Sequence, residues 1–117
     1  MEKPSSIDKA VLLNAFDQDR DFLTEIVQIF LTDAPPLLKN IKEALRAKDA
    51  DSLKRAAHSL KGMLGNFQAE EAARTASQLE ECGRQNEFDH CSQAYETLAG
   101  QLDGVCRMLS DLVRELE

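Results

Sequence analysis

Apolar residues recur every three or four positions along most of the chain, the spacing of α-helices that bury one face. No stretch shows the strict alternation of a convincing β-strand. The pattern predicts a first short helix over residues 8–16, which Asp8 can cap. A polar break follows at residues 17–21, and within it Asp19 is predicted to cap the next helix.

The second helix is predicted to reach Ala47, because the helical period holds from Leu23 onward. Pro35 and Pro36 interrupt this run, and a proline inside a helix removes a hydrogen bond and clashes with the preceding turn. The apolar phase survives the interruption, so we predict one long helix kinked at residues 32–36, whose second half Asp33 can cap. A clean break into two helices is the alternative.

Three further helices are predicted beyond the turn at residues 48–50. Asp51 is expected to cap the third, which runs to Phe67, and a fourth starts near Ala69 and stops at Gly83. Heptad-like apolar spacing predicts a long last helix between residues 91 and 116. The apolar positions of the third helix, which we expect to be buried, are Leu53, Ala56, Ala57, Leu60, Leu64 and Phe67.

Four substantial amphipathic helices joined by short loops imply an all-α fold, an antiparallel up-down-up-down four-helix bundle with an additional short N-terminal helix. Residues 1–6 are expected to form a tail, and residues 7–117 a single domain. The heptad seam of the last helix could also serve a dimer. A bundle of this size needs that face internally, so we expect a monomer.

Composition narrows the range of partners and compartments. The formal net charge of -7 argues against nucleic acid or an anionic membrane as the main partner. No apolar run approaches the roughly 20 residues of a membrane span, and the initial MEKPSS lacks the apolar core of a signal peptide. We therefore expect a cytoplasmic protein that does not insert into membranes.

The cysteines argue against a disulfide framework and against a metal site. Cys82, Cys91 and Cys106 form an odd set without CxxC spacing, which suits reduced thiols in a cytoplasm. His90 lies beside Cys91, but no pair of potential ligands has zinc spacing. The sequence thus predicts reduced thiols and no bound metal.

One histidine stands on the polar side of the third helix. Lys54 lies one turn before His58, Lys61 and Gly62 lie one turn after it, and Gly65 lies two turns after it. Each mid-helix glycine costs roughly 1 kcal/mol relative to alanine. We therefore interpret the glycines as a bare strip, where another protein can bring a reacting group to the imidazole. A merely solvated surface histidine is the alternative.

The stretch AHSLKGMLGNFQA around this histidine resembles the signature of histidine-containing phosphotransfer (Hpt) domains, in which Lys and Gly follow the His at +3 and +4. The upstream FLTDAPPLLKNIKEALRAKDADSLKRAAH and the downstream LEECGR are also similar to the family. Met63 departs from the small residue that is common after the Lys-Gly pair. Gln68-Ala69 departs from a frequent Gly-Ala, which concerns the loop and not the histidine.

The resemblance implies that His58 carries a phosphoryl group between receiver-domain aspartates in a two-component phosphorelay. It also implies that a polar side chain of the next helix holds the second ring nitrogen, and the offset points to Glu80, with Gln78 left open. No cofactor is expected on this chain, because the receiver would supply the Mg²⁺.

Basic side chains on the third helix suit the same role. Lys54 and Lys61 can neutralise phosphoryl oxygens, and with Arg55 they make a basic spot suited to an acidic partner site. No glycine-rich nucleotide loop is present, so we expect no ATP-dependent kinase activity. The alternative function is a helical adaptor that binds a signalling partner without covalent chemistry.

Overall fold

The computed structural model describes residues 9–89 and 91–116 of the 117-residue chain. These residues form five α-helices and no strand, so the all-α prediction is confirmed. The proposed Asp8 cap and the N-terminal tail lie outside the described residues. The helices are α1 (Lys9–Ala15), α2 (Arg20–Ala47), α3 (Ala50–Gly65), α4 (Glu70–Gln85) and α5 (Cys91–Leu116).

Helix α2 runs unbroken through both of its prolines. Asp19 caps it as predicted, because its side chain accepts a hydrogen bond of 3.0 Å from the backbone N–H of Phe22. Pro35 and Pro36 are exposed, whereas the buried positions of α2 continue on both sides of them. The alternative of two separate helices is therefore wrong. Asp33 caps nothing, because no second helix begins there, and the kink stays a prediction.

The cap of α3 lies two residues earlier than predicted. Asp49, not Asp51, accepts hydrogen bonds from the backbone N–H of Ser52 at 3.2 Å and from its hydroxyl at 2.8 Å. Lys48 takes a left-handed conformation with φ 56°, which turns the chain so that Asp49 precedes the first turn. Asp51 instead pairs with Arg55 one turn further along the helix.

Gly83 does not end α4, contrary to the prediction. The helix continues to Gln85, and Asn86 supplies the left-handed residue, with φ 56°, that closes it. Gly83 is buried against the start of α3, where a Cβ atom would lie 2.8 Å from the carbonyl oxygen of Ala50 and 2.8 Å from the backbone nitrogen of Lys54. The missing side chain therefore allows two helix backbones to touch.

Replacing Gly83 by alanine is expected to lower the free energy of unfolding by about 1–3 kcal/mol, since the added methyl group overpacks against backbone atoms that cannot rotate away. Gly100→Ala on α5 is the matched control, because a Cβ atom there meets nothing within 4 Å. The control should gain up to about 1 kcal/mol of helix propensity. Urea unfolding of both variants checks this, and an unchanged or raised stability of Gly83→Ala would contradict it.

The helices pack around one aliphatic core. Helix α2 contacts α3, α3 contacts α4, α4 contacts α5, and α5 contacts α2, while α1 packs on α2. The rings of Phe30 and Phe67 meet edge to face with centroids 5.2 Å apart. The predicted buried face of α3 is confirmed, because its five apolar positions from Leu53 to Leu64 are buried. The helix ends at Gly65 and not at Phe67 as predicted, although Phe67 is buried in the turn that follows. Met63 lies half-buried at the edge of this core.

Two of the three cysteines pair, contrary to the expectation of reduced thiols. Cys82 near the end of α4 and Cys91 at the start of α5 form a disulfide, with Cα atoms 6.5 Å apart. The turn between these helices brings together two residues that are nine positions apart in sequence. Cys106 stays a free, half-buried thiol, and burial raises its pKa. His90 lies outside the described residues.

Candidate functional site

His58 lies in the middle of α3 on the face that points away from the core. Its side chain is 67% exposed, while Ala57 and Leu60 on either side of it in sequence are fully buried. Packing of those neighbours fixes the rotation of the helix, and this fixes the side from which the imidazole leaves it. The ring therefore stands on a rigid element and in contact with water.

Glu80 on α4 connects His58 with Lys61. One carboxylate oxygen, Oε2, lies 3.0 Å from Nδ1 of His58, and the other, Oε1, accepts a hydrogen bond of 2.7 Å from Nζ of Lys61. The Glu80 side chain is only 12% exposed, and that of Lys61 is 35% exposed. Both carboxylate oxygens are thus occupied, so the carboxylate has one preferred orientation.

His58, Lys61 and Glu80 form the Glu80 cluster, and its electrostatics keep the Glu80 carboxylate ionised. Its hydrogen bond with the Lys61 ammonium lowers the pKa of the Glu80 carboxyl below its ordinary value, and the His58 contact acts in the same direction, against the opposing effect of burial. An ionised carboxylate only accepts hydrogen bonds. Nδ1 of His58 must therefore carry the donated proton, and a neutral ring then keeps its lone pair on Nε2.

The surface next to the imidazole is open. Gly62 and Gly65 are exposed, and a Cβ atom built on either would meet nothing within 4 Å. These glycines are not required by local packing, unlike Gly83. The space beside the ring is therefore free for another molecule to approach.

The remaining predicted site residues are not part of the Glu80 cluster. Lys54 is exposed one turn before His58, and Arg55 is engaged with Asp51 on its own helix. Arg55 faces a groove of about 500 Å³ between α2 and α3, whose other lining residues include Asn40 and Ser59. The structure thus brings together His58, Lys61 and Glu80, and places Arg55 on the flank facing α2.

The contact between Lys61 and Glu80 was missed at the sequence level. The position of Lys61 one turn after His58 predicts a contact with the phosphoryl group, and nothing in the local pattern pairs Lys61 with a residue 19 positions later. Gln78, the alternative to Glu80, is exposed on α4. Among the described residues no group of three or more His, Cys, Asp or Glu side chains could hold a metal ion.

Comparison with known proteins places this geometry in a family. The sequence model of the Hpt domain matches residues 25–116, which include α3, α4 and α5 and the whole Glu80 cluster. The chain belongs to the Hpt domain family. None of the curated proteins compared with this Hpt chain matches it.

A solved structure with the same Hpt fold covers nearly the whole chain. It is the crystal structure of histidine-containing phosphotransfer protein B from Pseudomonas aeruginosa PAO1, with 25% sequence identity and a TM-score of 0.87. The superposition covers 97% of this chain and 98% of that one. The short helix α1, which precedes the residues matched by the family model, is therefore within the shared structure.

Membership in the family gives the general role. Hpt domains are phosphotransfer carriers of two-component signalling, not kinases, and they interact with receiver domains. Among residues 9–89 and 91–116, none of the helices combines the length and the apolar character that a membrane span requires.

Proposed function

We propose that His58 is the phosphoryl carrier of a phosphorelay, loaded by a phosphoaspartate on one receiver domain and discharged to an aspartate on another. The observation that carries the proposal is an exposed imidazole whose Nδ1 is held by the ionised Glu80. The nitrogen left with the lone pair, Nε2, is the one available to attack phosphorus. Glu80 and Lys61 are positioning residues in this scheme.

The transfer step follows from this arrangement. The Nε2 lone pair forms a bond to phosphorus, the P–O bond of the acyl phosphate breaks, and the receiver keeps its aspartate as a carboxylate. Phosphoryl transfer depends mainly on positioning and electrostatics. Lys54 and Lys61 supply positive charge beside the moving group, and the Mg²⁺ would be held by the receiver.

The helical contacts support the bundle proposed from the sequence. Helix α2 packs against both α3 and α5, and α4 packs against the same two helices, which closes a ring of four. Gly83 approaches Ala50 and Lys54, while Glu80 reaches His58 further along α3, so α3 and α4 run in opposite directions. We infer an up-down-up-down bundle with α1 added, forming one domain over residues 7–117 and working in the cytoplasm as a monomer.

The decisive test is a transfer assay with isolated components. The chain is incubated either with a receiver domain carrying labelled phosphoaspartate or with labelled ATP alone. We expect acid-labile, base-stable label from the receiver and none from ATP. Label from ATP alone would reveal a nucleotide site and contradict the carrier role. Receiver binding without label would instead support the adaptor function.

A further inference from the structure

We infer that the negative charge of Glu80 shortens the lifetime of the phosphoryl group on His58, which makes this Hpt domain a fast-discharging carrier. The inference rests on the proposed function and adds to it the lifetime of the phosphoryl group, on which the charge of Glu80 has the largest effect. An amide at the same position would accept the same hydrogen bond, so it is the charge and not the contact that carries the effect.

The geometry keeps Glu80 in place through the whole cycle. Nδ1 and Nε2 lie on different sides of the imidazole, so a phosphoryl group on Nε2 leaves the 3.0 Å contact between Nδ1 and Oε2 undisturbed. Lys61 holds the second carboxylate oxygen at 2.7 Å. With only 12% of its side chain exposed, Glu80 interacts with the ring in a site where water screens charges less than on the open surface.

Discharge of the ring depends on the proton at Nδ1. An imidazole phosphorylated on Nε2 and protonated on Nδ1 carries a positive charge, and a neighbouring carboxylate stabilises that charge. When the acceptor oxygen bonds to phosphorus, the Nε2–P bond breaks and its electron pair returns to Nε2. The ring leaves as a neutral imidazole with its proton still on Nδ1, where Glu80 accepts the hydrogen bond.

The alternative leaving group is much poorer. If the phosphorylated ring loses its Nδ1 proton to water, the departing group is an imidazolate anion, which must be protonated afterwards. A neutral amide in place of Glu80 stabilises the positive ring less, so a smaller fraction of the phosphorylated chain is ready to discharge. The carboxylate therefore raises the rate of transfer to a receiver and of hydrolysis by water.

Other charged groups near the ring modify this effect without replacing it. On α3, Lys54 is exposed, Arg55 is paired with Asp51, and Lys61 offsets part of the Glu80 charge from the oxygen that does not contact Nδ1. On α2, Glu43 lines the same groove as Arg55. Of Glu43, Asp51 and Glu80, only Glu80 contacts the imidazole.

The test compares Glu80→Gln with Glu81→Gln. Glu81 is the adjacent residue of α4, is exposed, and contacts Arg84 and Gln85 rather than His58, so its substitution removes the same charge beside the site. Each protein is loaded with phosphoramidate, a small phosphoryl donor, and the loss of phosphate from His58 is followed without any receiver. Hydrogen bonds to charged groups are stronger than neutral ones, which predicts a half-life about fivefold to tenfold longer in Glu80→Gln.

The pH profile separates the charge from a structural role. Phosphate loss should accelerate as pH falls in both proteins, and in Glu80→Gln the acceleration should begin at lower pH but reach the same acid plateau. A merely structural disturbance would shift the rate at every pH. Equal half-lives, a shorter half-life in Glu80→Gln, an equal effect in Glu81→Gln, or no loading of His58 would overturn the inference. Failure of the relay function would show separately, as loading by phosphoramidate without loading by a receiver.

Discussion

Substitution His58→Gln is expected to abolish phosphate incorporation from a phosphorylated receiver while leaving the fold unchanged. Glutamine is polar and similar in length, and the side chain it replaces is 67% exposed, so the core is untouched. The amide has no nucleophilic nitrogen to replace Nε2. The incorporated label should fall to background, and the free energy of unfolding should stay within about 0.5 kcal/mol of the wild type, as for most surface substitutions.

Ser59→Ala is the matched control for this experiment. Ser59 is the next residue of α3 and is exposed, but a hydroxyl at that position has no role in the proposed transfer. The control should accept phosphate at the wild-type rate. Label that persists in His58→Gln at the wild-type level would mean that another residue carries the phosphoryl group, and it would defeat the assignment.

A leucine in place of Gly62 is expected to slow phosphate transfer from a receiver about a hundredfold. The open space above Gly62 would be filled by a branched side chain one turn from His58, which holds the receiver's aspartyl phosphate away from Nε2. Displacements of about 1 Å can cost that much in rate. Loading by phosphoramidate should be nearly unchanged, because this donor is small enough to reach the ring from other directions.

Gly100→Leu provides the comparison, since Gly100 also lies exposed in a helix with nothing within 4 Å of its Cβ position. Both substitutions should stabilise their helices by up to about 1 kcal/mol, which excludes unfolding as the cause of a lost rate. Gly62→Ala should fall between wild type and Gly62→Leu. Unimpaired transfer to Gly62→Leu would show that the receiver approaches by another face.

The parts of this molecule that follow from helical period were predictable from the sequence. The rotation of α3 is set by its apolar positions, so the buried face and the exposure of His58 both followed from counting at about 100° per residue. The proposed chemistry of the histidine came from the resemblance of its neighbouring residues to the Hpt signature, which could be seen because Lys61 and Gly62 follow His58 closely along the chain.

Apart from the contact of Glu80 with His58, which the family resemblance implied, the features that depend on the three-dimensional course of the chain were not predictable. Asp49 and Asp51 are both good caps, and the choice between them was made by the left-handed conformation of Lys48. Gly83 was interpreted as a helix end, but its role lies in an approach to another helix. The contact of Lys61 with Glu80 depends likewise on how α3 and α4 are aligned.

The pairing of Cys82 with Cys91 was missed for a similar reason. The odd number of cysteines and their spacing favoured reduced thiols. Both are features of the sequence alone, and neither shows that the chain reverses direction at residues 86–89. Because the chain reverses between α4 and α5, the Cα atoms of Cys82 and Cys91 lie 6.5 Å apart. Spacing along the chain therefore said nothing about their distance in space.

The close approach of Gly83 to α3 also sets the alignment of Glu80 with His58. Because the two backbones touch at Gly83, α4 cannot slide along α3. Glu80 lies three residues before Gly83, about 4.5 Å along the axis of α4, and this fixed distance places its carboxylate beside His58. One residue inserted or deleted in that interval would swing the carboxylate about 100° around its helix and leave the imidazole without its partner. Gly83 does not contact the ring, yet its packing against α3 fixes the position of Glu80 relative to His58.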